Sequence, residues 1–307
     1  MSQFRGNYAR VAIYLGFAVL MMLFCIFIDT FRRADLVSPR YGRDISVTET
    51  FINDTFPKII HQVWLGYDSK DPPDSWRNAT NHSIRNNPDF TYRCWSKDDV
   101  IDLLTSHYRW FLPTYHSYPY DVERADAARY FIILHYGGIY LDMDEVSVVS
   151  ISDIINDNKL QRYQCFMPQG TPNGITNYVI MCKRNSLFMR YLTSQLAMSK
   201  GWYGIPYATV MWSTGPRFIS RVYDSYWEKD SLFIMSGSEV SKNFRCLFGQ
   251  SWFRIDGVII HLIVYPFIRM GVSWIYSTVF LISMLTFLAL FIWRKKTYIA
   301  DTPSPVL

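Results

Sequence analysis

Asp142 and Asp144 are the residues whose types and spacing point most directly to chemistry. They follow Gly137-Gly138-Ile139-Tyr140-Leu141, so two glycines and a short apolar strand run out into alternating carboxylates that end at Glu145. On an extended backbone, residues two apart point the same way. Two like charges held together raise each other's energy unless a cation lies between them. Carboxylate oxygens suit a hard ion such as Mn²⁺ or Mg²⁺. An ion held by so few protein ligands keeps positions open for phosphate oxygens. A solvated turn after a strand is the plain alternative for a bare Asp-x-Asp, and the apolar strand and Gly-Gly exit weigh against it. A second pair, Asp126 and Arg129, lies in Glu123-Arg124-Ala125-Asp126-Ala127-Ala128-Arg129-Tyr130. Three residues apart, they share a helix face. Their alternative is a surface ion pair.

The elements that must position these residues form an alternating pattern. Pro57-Lys58-Ile59-Ile60-His61-Gln62-Val63-Trp64 is an apolar, β-branched run that ends at Gly66 and predicts a first strand. A helix is expected over Asp74 to Arg85, then a strand over Phe90 to Trp95, then a helix opening at Ser96-Lys97-Asp98-Asp99. Asp121 can cap a helix that runs to His135 and is apolar on most sides, as a helix packed into a core is. Asp126 and Arg129 would then lie at a core edge beside the strand carrying Asp142. Gly137 suits the helix exit because a positive φ is common there. Strands are expected over Glu145 to Val149, Tyr163 to Met167, Tyr178 to Cys182 and Leu232 to Met235, with helices over Ser186 to Met198 and Phe218 to Trp227. Such alternation predicts an α/β domain with a Rossmann-like, mostly parallel sheet. No Gly-x-Gly-x-x-Gly or P-loop pattern is present.

The flanks speak of a membrane. The 307 residues are 50% hydrophobic and 17% aromatic, enough for one large domain or two small ones, with aromatic excess partly in apolar segments. Val11 to Ile28 is an unbroken apolar run near the lower limit for a bilayer span. A cleaved signal peptide is the alternative; Cys25-Ile26-Phe27-Ile28 offers no small-residue cleavage site, which favours an anchor. Val272 to Trp293 is a longer charge-free span ending in Arg294-Lys295-Lys296, which puts the C-terminus in the cytosol and, with two spans, the N-terminus too. The expected organisation is a cytosolic N-terminus (1–10), a transmembrane anchor (11–28), a stem (29–55), a lumenal α/β domain (56–256), a short apolar interfacial or re-entrant segment (257–270), a transmembrane helix (272–293) and a basic cytosolic tail (294–307). Sequons at Asn53, Asn78 and Asn81 fall in the lumenal part. Cys94, Cys165, Cys182 and Cys246 would share that compartment, where three pairings or buried thiols are all open. A net charge of +5 with no long basic block gives no support to nucleic-acid binding.

Three stretches together resemble a known family: the Pro57–Trp64 run, Arg124-Ala125-Asp126-Ala127-Ala128-Arg129-Tyr130, and Gly137-Gly138-Ile139-Tyr140-Leu141-Asp142-Met143-Asp144. They look like the signature of the glycosyltransferases with a DXD sugar-binding motif. Within them, Pro206-Tyr207-Ala208-Thr209-Val210-Met211-Trp212-Ser213-Thr214-Gly215-Pro216 and the two-anchor layout resemble fungal mannosyl phosphorylinositol ceramide synthase catalytic subunits. The resemblance implies a GT-A fold, a Mn²⁺ or Mg²⁺ ion on Asp142 and Asp144, GDP-mannose as donor, and retention of configuration. It implies inositol phosphorylceramide as acceptor, a regulatory membrane subunit as partner, and a Golgi or ER membrane. By the same resemblance Asp126 and Arg129 would orient the donor sugar, and Trp64 would stack on the base. Arg124, Tyr140, Ser251 and Trp252 would complete the donor site. Relatives often carry a His after Gly-Ser-Ser-Trp, whereas here Gly249-Gln250-Ser251-Trp252 is followed by Phe253, which can be neither metal ligand nor diphosphate contact. An N-glycan α-1,6-type mannosyltransferase and a regulatory subunit that keeps the fold are the alternatives.

Overall fold

A computed structural model describes residues 55–66, 71–156, 160–170 and 174–247, with Gly257 and Leu285 as isolated positions. The first expected span, the remainder of the second, the stem up to Asp54, and Ser251, Trp252 and Phe253 lie outside the described residues. Among the described residues, no helix is long and apolar enough to cross a membrane.

The chain begins with β1 (Ile59–Val63), α1 (Asp74–Asn86), β2 (Thr91–Trp95) and α2 (Lys97–His107), close to the expected bounds. Ser96 caps α2: its hydroxyl accepts from Asp99 N, and the Asp99 carboxylate accepts from Ser96 N. A short α3 (Leu112–His116) leads to α4 (Asp121–Tyr136). Asp121 is the first helical residue rather than the cap, and Tyr120 precedes the helix with its N–H given to Glu123 Oε2 at 3.3 Å. Then come β3 (Gly138–Leu141), β4 (Glu145–Ser147), α5 (Ile151–Ile155), β5 (Cys165–Pro168) and β6 (Val179–Cys182). The chain continues with α6 (Leu187–Ser199), α7 (Pro206–Ser213), α8 (Pro216–Ser225), β7 (Leu232–Met235), α9 (Gly237–Asn243) and β8 (Phe244–Cys246). The α8 helix stops at Ser225, short of the expected Trp227.

The main sheet has the order β2-β1-β3-β6-β5-β7. Its pairings make five strands run one way and β6 the other. The mostly parallel sheet is therefore present, with one reversed strand. The reason is connection length: too little chain separates Pro168 from Val179 for a crossover helix, so the two strands pair as a hairpin. The short strands β4 and β8 pair separately.

Both sheet faces are covered, as a parallel sheet requires. On one face Ile60, Ile139, Leu141, Phe166, Val179 and Met181 join one core cluster. On the other, Val63, Tyr140, Met167 and Ile180 join the aromatic and aliphatic residues of α2, α4, α6 and α8. Helix α4 is buried without a break from Ala125 to Leu134. It packs on β1, β3 and β6 and against α6. Burying each of Phe131, Ile132 and Ile133 contributes about 1.5–3 kcal/mol. The helix exit is a steric fit. Gly137 (φ +65°) and Gly138 (φ +87°) are both left-handed, and a Cβ on them would lie 2.5 Å from Arg184 N and 2.6 Å from Ile59 O. One disulfide, Cys165–Cys182, joins facing positions of β5 and β6. Cys94 is an exposed free thiol, so two bridges among the four cysteines do not form.

Candidate functional site

The two carboxylates stand at the carboxyl end of β3, and Trp64 stands at the same end of its parallel neighbour β1. This is where open α/β sheets take ligands. The sequence predicts that Asp142 and Asp144 point the same way along an extended strand; instead they occupy a tight turn closed by Glu145 N–H donating to Asp142 O at 3.0 Å. The chain leaves β3 because its partner β6 begins at Val179; Asp142 N–H makes one further bond, to Tyr178 O at 2.9 Å, before the backbone bends. The carboxyls still sense each other. Burial and then the Asp142 charge push Asp144 up to about 6.

Two consecutive residues of β1 hold this segment at both ends. His61 is fully buried, and burial pushes its pKa down to about 4, so the ring is neutral. Trp95 Nε1 donates to His61 Nδ1 at 3.1 Å, which leaves Nε2–H to donate to Gly137 O, also at 3.1 Å. Gln62 Nε2 donates to Asp142 O at 3.3 Å, while its Oε1 accepts from Thr80 and Tyr92 hydroxyls at 2.7 and 2.9 Å.

Arg129 bridges the two acidic positions. Its Nη2 is 2.9 Å from Asp126 Oδ1 and its Nη1 is 2.9 Å from Asp142 Oδ1. Nη1 also donates to Asn177 O at 2.9 Å, and the guanidinium stands 4.5 Å from the Tyr140 ring centroid. Burial opposes this charge, yet Asp142, Tyr140 and Asp126 override it and hold the Arg129 pKa above its ordinary value. Asp126 also accepts from Asn177 Nδ2 at 2.9 Å and from Thr214 Oγ1 at 3.1 Å. Burial still pushes Asp126 up to about 6 against the pull of Arg129. The two carboxylates differ in access: the Asp126 side chain is 6% exposed and that of Asp142 is 29% exposed. Both members of the α4 pair lie deeper than the core edge expected for them.

The remaining expected residues fall in different places. Tyr140 is buried and its hydroxyl donates to Asp142 Oδ1 at 2.8 Å, so it orients the carboxylate. Trp64 is half-buried with its ring edge-on to Trp76 at 5.7 Å. Arg124 turns back to Asp121 and to Tyr118 O, and makes no contact with the carboxylates. Asn177, Tyr130 and Thr214 are additions. Tyr130 OH accepts from Asn177 and donates to Thr214 O at 2.6 Å. Tyr130 and Thr214 lie inside stretches that carried the family resemblance, whereas Asn177 before a strand has the look of a turn residue.

Asp142 and Asp144 offer carboxylate oxygens, the ligand type a hard divalent cation takes. Asp142 Oδ1 is taken by Arg129 and Tyr140, and among the described residues nothing bonds its Oδ2. Burial first and the Asp142 charge second disfavour the charged form of Asp144, and a cation between the two carboxylates would favour it. Glu145 is buried, and burial pushes it up to about 8, with Asp142 and Asp144 adding to the push. Among the described residues no group of three His, Cys, Asp or Glu is placed to hold a metal ion.

Comparison with known proteins agrees with the resemblance read from the sequence. Residues 73–162 match the family model described as the glycosyltransferase sugar-binding region containing DXD motif. The matched region takes in Asp126, Arg129, Asp142 and Asp144. A mannosyl phosphorylinositol ceramide synthase of Saccharomyces cerevisiae is 39% identical over 211 residues, covering 65% of this chain and 54% of that protein. An inositol phosphoceramide mannosyltransferase of Schizosaccharomyces pombe is 33% identical over 211 residues, covering 65% and 56%. The chain thus spans about half the length of these curated relatives. A UDP-bound glycosyltransferase domain from the YGT toxin superposes with a TM-score of 0.43 at 10% identity, over 66% of this chain and 83% of that one.

Proposed function

We propose that this chain, similar to the DXD-containing glycosyltransferases over its sheet-edge site, is a retaining mannosyltransferase that moves mannose from GDP-mannose to inositol phosphorylceramide. The observation that carries the reading is the bridge made by Arg129. It ties a sequestered carboxylate, Asp126, to a partly open one, Asp142, whose second oxygen has no bond among the described residues. Such a pair can address a sugar and its diphosphate from one side. The names borne by the two fungal relatives support mannose and inositol phosphoceramide.

In this reading Asp142 and Asp144 would hold Mn²⁺ or Mg²⁺, which would supply charge neutralisation for the departing diphosphate. Asp126 and Arg129 orient the donor sugar through the Asp142 carboxylate they hold, and their buried hydrogen-bond partners keep them from reorganising during the reaction. Tyr140 and Gln62 hold the Asp142 side chain and carbonyl in place. Trp64 offers an aromatic surface for the base. The bond from the anomeric carbon to the diphosphate breaks, a bond to the acceptor hydroxyl forms on the same face, and the hydroxyl proton passes to the leaving phosphate. The apolar segments at residues 11–28 and 272–293 support a Golgi or ER membrane setting with a lumenal catalytic domain.

The test uses membranes containing the full chain, labelled GDP-mannose and inositol phosphorylceramide, with Mn²⁺ or with chelator. Mannosylated lipid is expected to form with Mn²⁺ and to vanish with chelator and in Asp142→Ala and Asp144→Ala. Absence of transfer, with and without a co-expressed membrane subunit, moves the assignment to N-glycan transfer or to a regulatory role.

A further inference from the structure

Residues 158–223 contain eight Lys or Arg and no Asp or Glu. The whole chain holds 31 basic and 26 acidic residues, so the remainder is net negative and the basic excess is concentrated here. The fold gathers part of it at one corner, made by the end of α6, the loop 200–205 and the start of α8. Arg221 Nη2 reaches Ser199 Oγ at 3.4 Å and Trp212 O at 3.2 Å. The Arg217 guanidinium is 6.0 Å from the Trp212 ring centroid, and the Tyr203 ring is 6.4 Å from it. On this corner Lys200 is exposed, Met198 is 52% exposed and Trp202 is 64% exposed.

Trp202 projects from a loop that is tied down on both sides. Tyr203 N–H donates to Thr209 Oγ1 at 3.1 Å, Tyr203 OH donates to Ser199 O at 2.9 Å, and Ser213 Oγ donates to Gly201 O at 3.3 Å. A fixed loop that leaves its largest apolar ring in water forgoes the burial that ring could gain. Tryptophan beside Lys and Arg is the composition of a membrane interface, where the ring sits at headgroup depth and the cations meet anionic lipid. The first acidic residue after the stretch, Asp224, comes at the far end of α8.

We propose that this corner docks on an anionic bilayer surface, with Trp202 and Met198 entering the interfacial layer and Lys200 and Arg217 facing lipid phosphates. The loop rests on Ser213, and the next residue, Thr214, holds Asp126. Docking therefore brings the headgroup layer to the edge of the sugar site. This consequence for catalysis rests on the lipid-acceptor reading above; the docking itself does not.

The experiment reconstitutes the full chain in vesicles of phosphatidylcholine with or without phosphatidylserine, the lipids carrying brominated chains. Tryptophan quenching of the parent is compared with that of Trp202→Ala, so that the difference isolates one ring. A quenched component that Trp202→Ala lacks, that grows with phosphatidylserine, and that shrinks in Lys200→Glu/Arg217→Glu supports docking. Identical quenching in parent and Trp202→Ala overturns it. In a second arm, transfer is measured to vesicle-embedded and to short-chain, water-soluble inositol phosphoceramide. The charge-reversed variant should raise KM for the embedded acceptor by at least fivefold, about one surface cation's worth, and leave the soluble acceptor unchanged. Equal loss on both acceptors overturns the link to catalysis. Quenching as expected without transfer by the parent would sink the lipid-acceptor reading and leave the docking standing.

Discussion

Asp126 has both oxygens occupied, by Arg129 and Asn177 on one and Thr214 on the other. Asp142 shares the same arginine but, among the described residues, keeps one oxygen without a bond. The two should therefore fail in different ways. Arg129→Met leaves Asp126 as an unpaired buried acid, and breaking a buried pair in this way costs about 3–5 kcal/mol; urea unfolding should show that loss together with absent transfer. Asp142→Asn keeps the shape at a position in partial contact with water. Its unfolding midpoint should move far less, while transfer falls by about 10²-fold or more, the scale expected when an electrostatic contact of the transition state is removed. A variant pair with the opposite ranking would overturn this division of labour. The pairing of Asp126 with Arg129 was legible in the sequence because three-residue spacing on α4 announces a shared face, whereas the extended pair expected of Asp142 and Asp144 gives way to a turn. Asn177 was not legible, because a single amide before a strand carries no period, and only the antiparallel return of β6 brings it to Asp126.

The strand β3 is short, buried at every position, and entered through two left-handed glycines. Gly138→Ala would set a Cβ 2.6 Å from the Ile59 carbonyl oxygen, so β1 and β3 would have to separate. A loss of at least about 2 kcal/mol is expected from strain and disrupted pairing, and a thermal melt within a degree of the parent would contradict it. The disulfide between β5 and β6 closes a loop with a sequence separation of 17. Reduction, or a Cys165→Ala/Cys182→Ala variant, should cost about 3 kcal/mol, seen as a lower denaturant midpoint. Most main-sheet strands were legible from their apolar, β-branched runs. The turn at Asp142–Glu145 was not, since carboxylates suit an extended strand end and a turn alike, and the reversal comes from where β6 stops. The short β8 was missed for a related reason: three residues are too few to show alternation.

Over the whole molecule, several carboxyls sit where burial disfavours their charge. Glu123 is pushed up to about 7 and Glu145 to about 8, both by burial first. A carboxyl whose pKa is higher in the folded state than in the unfolded chain binds its proton more tightly when folded, so stability falls as pH rises toward the folded value. His61, lowered to about 4 by burial, acts in the opposite sense, and only below its unfolded value near 6.5. Between pH 6.5 and 8 the carboxyls act without it. Stability should drop by about 2 kcal/mol over that window, and Glu123→Gln/Glu145→Gln should flatten the curve. An unchanged slope would mean that neither group is held as described. One last property follows from the adjacent His61 and Gln62 of β1, which grip the carbonyls of Gly137 and Asp142 at the two ends of β3. The site is thereby a transplantable cassette only if both strands travel together. A chimera that imports residues 121–145 into another scaffold while retaining the host's first strand should fold with its acidic turn misplaced, whereas one that imports residues 59–63 as well should carry the turn across intact.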